Sequence, residues 1–336
     1  YHKLNILFLN SHQQVIKKIN EYSIAHTPFF MMVDFEMQQP VLLTLEELAS
    51  QHIAVSFPTY TNQASTKKSS SPTASIDLHT IHSMPKASYQ AGYDKVMKAL
   101  KYGNSYLTNY TGKTKIETDA TLLQIFNQAQ ARYKICYQDE WVCFSPECFI
   151  QIHEGAIFSY PMKGTIDARL PNAAHTLLHD SKELAEHYTI VDLIRNDLNK
   201  VSTEVVVEKF RYLEEIHSNH KNLLQASTKI KGLLPNDYRL HLGDLLFSLL
   251  PAGSISGAPK KKTIETIQEA EACPRGYYTG VAFYFDGEHI DSCVMIRFIE
   301  KVNGEYFYRS GGGITVNSDM EKEYQELNDK IYVPIY

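Results

Sequence analysis

The chain has 336 residues, of which 43% are hydrophobic and 21% charged, and these proportions are ordinary for a globular protein with a sizeable core. Its net charge of −5, with lysines and arginines scattered along the chain, argues against a nucleic-acid partner, and its five cysteines lack a CxxC pair and indicate reduced thiols rather than a disulfide framework. No apolar run reaches membrane-spanning length and the N-terminus lacks the order of a signal peptide, so we expect a cytoplasmic protein that does not enter a membrane.

The first part of the chain alternates short apolar runs with polar breaks. This pattern predicts strands at 6–9, 29–33 and 41–43. The next stretch, 59–75, is rich in serine, threonine and lysine, which predicts an exposed, mobile loop. From Ser88 the apolar residues recur at a spacing of three to four, and this spacing predicts a helix that stops near Gly103.

The rest of the chain mixes strands and helices. Tyrosine-rich and β-branched segments predict strands at 135–137, 142–144, 149–152 and 156–160. Helical spacing predicts helices at 180–198, 240–250, 260–272 and 319–331, with strands at 281–285, 293–299 and 306–310 between the later ones. Since no regular βαβ alternation appears, the sequence favours an α+β fold over a doubly wound sheet.

Two pairs of glutamates lie on predicted helices. Glu183 and Glu186 are three residues apart and share a helix face, and Glu323 and Glu326 repeat that spacing on the C-terminal helix. If the two faces meet, four carboxylates converge, and a hard cation such as Mg²⁺ would offset their repulsion. Solvated acidic helix faces are the commoner explanation of such pairs.

A lysine follows an apolar strand in the turn Tyr160-Pro161-Met162-Lys163-Gly164-Thr165. A lysine held at the end of a strand can be desolvated, which lowers the pKa of its amine and makes the amine nucleophilic. An ordinary loop lysine remains the alternative interpretation.

Two glycine-rich segments could bring backbone close to a ligand. The segment 251–260 consists mostly of small residues and runs into a helix, where backbone N–H groups can approach an anion. It lacks the Gly-Lys-Ser/Thr ending of a nucleotide-binding loop. Gly311, Gly312 and Gly313 follow a predicted strand and suit either close approach to a ligand or a β-bulge.

Together and in this order, these segments resemble the chorismate-utilising enzymes. The matching stretches are Ser145-Pro146-Glu147, Pro161 to Thr165, Lys182 to His187 leading into Val191 to Leu198, Gly253 to Lys260, Arg275 to Gly280, Ile296-Arg297, Gly311 to Ile314, and Glu323 to Glu326 with Lys330. They fall within 88–334, whereas residues 1–80 match no motif. The resemblance therefore implies one domain over 1–336, with a variable N-terminal part at 1–80 and a motif-bearing catalytic part at 88–334.

The resemblance also implies a fold and a site. Two large antiparallel sheets would pack together with flanking helices, and the site would lie in a cleft between them. Glu186 and Glu326 would bind Mg²⁺, supported by Glu183 and Glu323, and Glu147 would protonate the departing C4 hydroxyl of chorismate. The substrate contacts implied by the matched motifs are Arg297, Lys330, Thr165, Ser256, Lys260, Gly311, Gly312 and Gly313.

Lys163 selects a branch of the family. It is typical of the branch that forms 4-amino-4-deoxychorismate, whereas anthranilate synthases usually carry alanine in this turn. In that branch the lysine amine adds to ring C2 as the C4 hydroxyl leaves, and ammonia then attacks C4 and expels the lysine. Leu107 stands where water-using members carry a lysine base, and Leu224 stands where many members carry a histidine linked to pyruvate elimination.

The resemblance therefore implies Mg²⁺-dependent amination of chorismate in p-aminobenzoate and folate biosynthesis. No Gly-x-Cys-x-Gly nucleophile motif occurs, so the ammonia would come from a separate glutamine amidotransferase subunit. Two alternatives stay open: an anthranilate synthase component I, and a catalytically silent chorismate-binding regulatory subunit. The presence of Glu147, Lys163, Glu186 and Glu326 speaks against silence.

Overall fold

The computed structural model of the chain describes residues 12–63, 76, 78–216 and 222–335. The helices are α1 (His12–Ile24), α2 (Leu45–Ser50), α3 (Lys86–Lys101), α4 (Leu122–Gln128), α5 (Ala173–His179), α6 (Ser181–Leu198), α7 (Leu242–Leu249), α8 (Gly253–Ser256), α9 (Lys260–Ala270) and α10 (Met320–Asp329), and a 3₁₀ turn covers Tyr238–His241. The strands are β1 (Phe29–Val33), β2 (Val41–Thr44), β3 (Ile53–Phe57), β4 (Tyr60–Thr61), β5 (Thr80–His82), β6 (Leu107–Glu117), β7 (Tyr133–Tyr137), β8 (Trp141–Ser145), β9 (Cys148–His153), β10 (Ala156–Ser159), β11 (Met162–Asp167), β12 (Thr203–Ile216), β13 (Leu223–Leu233), β14 (Gly257–Ala258), β15 (Val281–Phe285), β16 (Ile290–Val294), β17 (Phe298–Val302) and β18 (Glu305–Ile314).

The strands form two antiparallel sheets. The first sheet has the order β11-β13-β10-β9-β16-β15-β1-β2, with β12 beside β13. The second has the order β14-β6-β18-β17-β8-β7-β3-β4, with β5 beside β6. The α+β class and the two-sheet architecture expected from the sequence are confirmed.

Strand β1 shows how the core is built, because its side chains alternate between the two faces of the first sheet. Phe29 and Met31 pack in one buried cluster with Ile19 of α1. Phe30 packs in another cluster with Val55 of the second sheet. Since both faces are covered, every position of β1 is apolar and buried, which explains the unbroken apolar run in the sequence.

The two helices that carry the glutamate pairs, α6 and α10, both have an aspartate as their N-cap residue. The side chain of Asp180 accepts a hydrogen bond from the backbone N–H of Glu183 at 2.9 Å, and that of Asp319 accepts one from the N–H of Lys322 at 3.0 Å. Such a cap satisfies an amide that the helix itself leaves unpaired. These caps place one glutamate of each pair in the first turn of its helix.

The structure corrects part of the predicted secondary structure. The strand predicted at 293–299 is two strands, because β16 ends in the first sheet and β17 begins in the second. The chain crosses between the sheets through Arg297, whose φ of +53° lies in the left-handed region and interrupts an extended strand. The other predicted helices and strands within the described residues are confirmed with small shifts at their ends. The sequence pattern did not predict the helices α1, α2, α4, α5 and α8 or the strands β6, β11, β12 and β13. The strand predicted at 6–9 and most of the loop predicted at 59–75 lie outside the described residues.

Candidate active site

Lys163 on β11 forms an ion pair with α6. Its Nζ lies 2.7 Å from Oε2 of Glu186, whose side chain is only 6% exposed. Gly164 allows the helix to come this close, because its φ of +83° favours glycine and a Cβ there would lie 3.2 Å from Oε2 of Glu183. The sequence predicted a turn here, but Lys163 lies in strand β11, which presents the lysine amine to the first glutamate pair.

Lys330, which follows α10, forms the second pair of this kind. Its Nζ lies 2.7 Å from Oε1 of Glu326 and donates a hydrogen bond of 2.7 Å to the carbonyl oxygen of Gly311 on β18. The Glu326 side chain is 47% exposed, so this pair is more open to solvent than the pair of Lys163. Lys330 thus ties the end of α10 to the glycine run of β18.

The glycine run brings the two lysine–carboxylate pairs to one place. A Cβ added at Gly312 would lie 3.3 Å from Oε1 of Glu326 and 3.6 Å from Oε2 of Glu323. A Cβ added at Gly313 would lie 3.6 Å from Nζ of Lys163. Glycine at these positions therefore keeps open the space between α10 and Lys163. Both predicted glutamate pairs border this space, which we call the glycine cleft.

The charges around Lys163 oppose the low pKa that the sequence predicted for it. Burial favours the neutral amine, but the carboxylates of Glu186, Glu183 and Glu326 outweigh burial and raise the pKa of Lys163 above its ordinary value. Lys330 behaves in the opposite way, since burial and the charges of nearby cations lower its pKa despite Glu326. The expected low pKa of Lys163 is therefore wrong for this state, in which Glu186 holds its ammonium form.

The carboxylates of the two glutamate pairs are suitable ligands for a hard cation, although two of them form ion pairs with lysines in this structure. Among the described residues, no three His, Cys, Asp or Glu side chains stand close enough together to hold a metal ion as they are placed. The ammonium groups of Lys163 and Lys330 lie beside Glu186 and Glu326 instead. Carboxylate oxygens from two helices are nevertheless the ligands that Mg²⁺ prefers. The magnesium site therefore stays a prediction, and it requires these ion pairs to open.

Glu147 lies between β8 and β9 and is held by α8. The hydroxyl of Ser254 donates a hydrogen bond of 2.5 Å to Oε1 of Glu147. Burial raises the pKa of Glu147 above its ordinary value, although the Ser254 hydrogen bond and nearby cations act against this. These cations are Lys163, Arg297 and Lys330. The raised pKa expected for a general acid is confirmed, and the cations place Glu147 beside the glycine cleft.

Arg297 enters the same region from the crossing between the sheets. Its guanidinium carbon lies 5.3 Å from the centre of the Tyr332 ring, a cation–π contact. Burial tends to lower the pKa of Arg297, but Tyr308 and Tyr332 outweigh this and raise it, so the side chain stays charged. A charged guanidinium between the sheets suits a substrate carboxylate.

Three predicted substrate contacts have other surroundings. Thr165 is exposed on β11, opposite Gln225. Ser256 is fully buried, and its hydroxyl donates to the carbonyl oxygen of Ala252 within its own turn. Lys260 pairs with Asp197 at 2.8 Å. The polar groups of Ser256 and Lys260 therefore stabilise the fold around α8 rather than facing the glycine cleft.

Two residues near the cleft were missed by the sequence analysis. Ser254 lies in the small-residue segment that was singled out, but the sequence does not tell which of its serines meets Glu147. His187 follows Glu186 and is fully buried, with its Nε2 2.5 Å from the hydroxyl of Thr228. Burial lowers the pKa of His187 to about 4, so the ring is neutral at physiological pH. Its position in the glutamate motif was the available signal.

Comparison with known protein families shows which family this chain belongs to. The sequence profile described as chorismate binding enzyme matches residues 10–335. This chain belongs to that family. The residues that border the glycine cleft therefore lie in a chorismate-binding enzyme. In the described part of the chain, no helix is both long enough and apolar enough to span a membrane.

The relatives of this chorismate-binding chain carry different names. It is 48% identical over 320 residues to the "Uncharacterized PabA-like protein PM1464" of Pasteurella multocida, covering 95% of this chain and 98% of the relative. It is 32% identical over 259 residues to anthranilate synthase component 1 of Bacillus subtilis, covering 73% of this chain and 49% of the relative. It is also 32% identical over 265 residues to aminodeoxychorismate synthase component 1 of Escherichia coli, covering 74% of this chain and 57% of the relative.

A solved structure supports the same placement. Anthranilate synthase component I of Streptococcus pneumoniae superposes with a TM-score of 0.64 at 25% sequence identity, covering 76% of this chain and 59% of the other. The two antiparallel sheets with flanking helices are thus the fold of this enzyme family. Sequence identity of this size with two different synthases does not by itself select the reaction.

Proposed function

We propose that this chorismate-binding enzyme replaces the C4 hydroxyl of chorismate with an amino group from ammonia, giving 4-amino-4-deoxychorismate. The observation that supports this most strongly is the position of Lys163. Its Nζ contacts Glu186 and lies 3.6 Å from the Cβ position of Gly313, at the border of the glycine cleft. A lysine amine among the substrate-binding groups is a nucleophile that this reaction can use.

In the proposed reaction Lys163 is the nucleophile and Glu147 the general acid. Once the ion pair with Glu186 has opened, the neutral Lys163 nitrogen bonds to C2, both ring double bonds shift, from C1=C2 and C5=C6 to C1=C6 and C4=C5, and the C4–O bond breaks. Glu147 supplies the proton that leaves with the hydroxyl as water. Ammonia then bonds to C4, both double bonds shift back to C5=C6 and C1=C2, and the C2–N bond breaks, which releases Lys163 as a neutral amine. The extra proton on the new amine restores Glu147, so chorismate and ammonia give 4-amino-4-deoxychorismate and water.

The substrate is a dianion, and its binding needs positive charge. Arg297 and Lys330 would hold its carboxylates, since the positive charges of both side chains act on Glu147. Bound Mg²⁺ would supply further positive charge for the ring carboxylate, with Glu186 and Glu326 as its ligands and Glu183 and Glu323 in support. Glycines at 312 and 313 leave room for a ring next to Lys163.

The source of the ammonia is a second part of the proposal. We infer a glutamine amidotransferase subunit as the partner and p-aminobenzoate and folate biosynthesis in the cytoplasm as the pathway. The name of the Escherichia coli relative, aminodeoxychorismate synthase component 1, supports a multi-component synthase. Ammonium salts at high concentration would replace such a partner in a test tube.

Anthranilate synthesis is the competing function, because the Bacillus subtilis relative of that name is as similar as the Escherichia coli one. Product analysis separates the two. The purified protein is incubated with chorismate, Mg²⁺ and ammonium, and the products are analysed with and without an added aminodeoxychorismate lyase. We expect chorismate to be consumed and p-aminobenzoate to appear only when the lyase is present. Fluorescent anthranilate without lyase would support the competing function, and unchanged chorismate would support a silent subunit.

A further inference from the structure

Glu147 is held in place at three points. Its backbone N–H donates to the hydroxyl of Ser145 at 3.1 Å, and its carbonyl oxygen accepts from the N–H of Val294 at 3.2 Å. Its side chain accepts from the hydroxyl of Ser254 at 2.5 Å. Within the described part of the chain, Ser254 is the side-chain hydrogen-bond partner that the structure gives to this carboxyl group. The carboxyl orientation therefore depends on one hydroxyl.

That hydroxyl is delivered by a rigid turn. Ser254 lies in α8, whose carbonyl oxygen at Ile255 accepts a 2.8 Å hydrogen bond from the buried guanidinium of Arg275. At Gly253 an added Cβ would lie 3.0 Å from the side chain of Leu193, so the turn packs directly against α6. The hydroxyl of Ser256 closes the turn onto Ala252. Ser254 therefore cannot drift away from Glu147 without moving a packed segment.

The hydrogen bond distinguishes the two oxygens of Glu147. The Ser254 hydroxyl has one hydrogen to donate, and its oxygen lies 2.5 Å from Oε1. While Ser254 is the donor, Oε1 is an acceptor, so the proton of a neutral Glu147 lies on Oε2. The same contact stabilises the carboxylate more than the acid, because a hydrogen bond to an ionised acceptor is the stronger one.

We propose that Ser254 is a positioning residue for Glu147, which fixes Oε1 so that Oε2 delivers the proton to the leaving hydroxyl. The delivery of the proton rests on the proposed function. The fixing of Oε1 does not depend on it. The charged and titratable groups around the carboxyl are Lys163, Arg297 and Lys330 from the cleft, and the neighbouring Cys148. Asp197 lines the cavity behind Glu147 and Ser254, and it is paired with Lys200 and Lys260.

The first test measures the resting protein and needs no turnover. The thermal midpoints of wild type, Glu147→Gln, Ser254→Ala and the double variant are recorded from pH 4 to pH 9. Because burial raises the folded-state pKa of Glu147, the wild type loses stability relative to Glu147→Gln as pH rises from about 4, and the loss levels off above that folded-state pKa. In Ser254→Ala, the pH above which this loss of stability levels off should be higher by about one unit, as expected for loss of one hydrogen bond to the carboxylate.

The controls separate loss of the contact from general damage. Ser254→Thr keeps a hydroxyl, so its loss of stability should level off at the same pH as that of the wild type. We call this pH the pH midpoint. Ser202→Ala removes another buried serine hydroxyl, which donates to the carbonyl oxygen of Leu198 at 2.7 Å, and should leave the midpoint unchanged. A Ser254→Ala midpoint equal to that of the wild type would overturn the proposal. If Ser254→Ala does not fold, Ser254→Cys is used in its place, and an unshifted midpoint for that variant counts in the same way.

The second test measures chorismate consumption against pH, whichever product forms. Ser254→Ala should lower kcat with little change in KM, and its activity should decline at higher pH than that of the wild type, because protonated Glu147 persists longer. Ser254→Thr should recover kcat. An unchanged kcat with an unchanged pH profile would overturn the positioning role. If the product proves to be anthranilate while both shifts are seen, the proposed function fails and the positioning of Glu147 stands.

Discussion

At the level of single residues, two features of the surroundings of Lys163 have opposite effects on the pKa of its amine. Burial would free its amine, but the contact with Glu186 keeps the ammonium form. Covalent catalysis by this residue therefore requires the ion pair to open when substrate binds. A lysine that remained paired would act only as an electrostatic holder for the substrate.

This difference can be seen by mass. Without ammonia, incubation with chorismate and Mg²⁺ should leave a covalent Lys163 adduct, with a mass increase equal to chorismate minus one water, because nothing is present to expel the lysine. Intact-protein mass spectrometry detects it. Lys163→Ala should form no adduct, whereas Lys229→Ala, which removes an ion-paired lysine of β13, should form it normally. If the wild type makes aminodeoxychorismate with ammonia and never shows the adduct, attack by Lys163 at C2 is wrong.

Glu147 gives a second prediction at this scale. Glu147→Gln cannot donate a proton to the leaving hydroxyl, so kcat should fall by roughly 10²–10⁴-fold. Chorismate should still bind, since Arg297 and Lys330 remain, and equilibrium titration with chorismate measures this. A wild-type kcat in this variant would reduce Glu147 to a structural residue.

At the level of secondary structure, the site depends on two capped helices, of which α10 meets the glycine run of β18 and α6 meets β11. Asp180 and Asp319 fix where α6 and α10 begin. The start of α10 sets the face that meets Gly312 of β18, and the start of α6 sets the face that meets Lys163 of β11. The glutamate spacing is therefore useful only because the strands that the two helices approach lie close together, with Gly313 of β18 next to Lys163 of β11.

The metal prediction belongs to this scale because its ligands come from both helices. Glu186→Gln or Glu326→Gln should abolish most turnover and raise the Mg²⁺ concentration needed for half-maximal turnover by at least about tenfold, since each substitution removes a charged oxygen ligand. Turnover is measured over a Mg²⁺ titration, with far-UV circular dichroism to check the fold. Glu265→Gln, on an exposed ion pair of α9, is the matched control and should behave as wild type. Near-normal turnover of both cleft variants at limiting Mg²⁺ would rule out these ligands.

At the scale of the whole molecule, Arg275 joins segments that are far apart in sequence. Its guanidinium donates to the carbonyl oxygens of Asn109 on β6 and Ile255 on α8, at 2.7 and 2.8 Å. It also pairs with Glu271 at 2.6 Å, and both side chains are at most 5% exposed. Glu36 of the N-terminal part holds the backbone N–H of Arg275. Arg275 therefore connects the N-terminal part, the Ser254 turn and the strand beside the glycine run.

Removing the guanidinium of Arg275 while Glu271 remains should lower the free energy of unfolding substantially. Arg275→Met leaves Glu271 buried without its charge partner, and we expect a loss of about 3–5 kcal/mol in the free energy of unfolding. Urea denaturation measures it. Arg275→Met combined with Glu271→Gln should recover much of the loss, because the neutral amide still accepts from Thr111 and carries no buried charge. An Arg275→Met midpoint equal to that of the wild type would contradict the role of this network.

Apolar spacing was enough to predict the helices α3, α6, α9 and α10, because this spacing is a local property that does not depend on distant partners. The order of its motifs was enough to identify the family. Lys163, Glu147 and the glutamate pairs were likewise predictable, since motif and spacing are local properties.

The contacts of the polar groups in these segments follow instead from the tertiary fold. It assigned β16 and β17 to different sheets, which puts Arg297 at the crossing between them. It also gave Ser254 to Glu147, although Ser256 lies in the same turn. These outcomes could not be predicted because each hydrogen bond or ion pair depends on a partner far away in sequence, and the partner's position follows from the packing of whole sheets. The raised pKa of Lys163 has the same origin, because it depends on Glu186 reaching β11 from another helix.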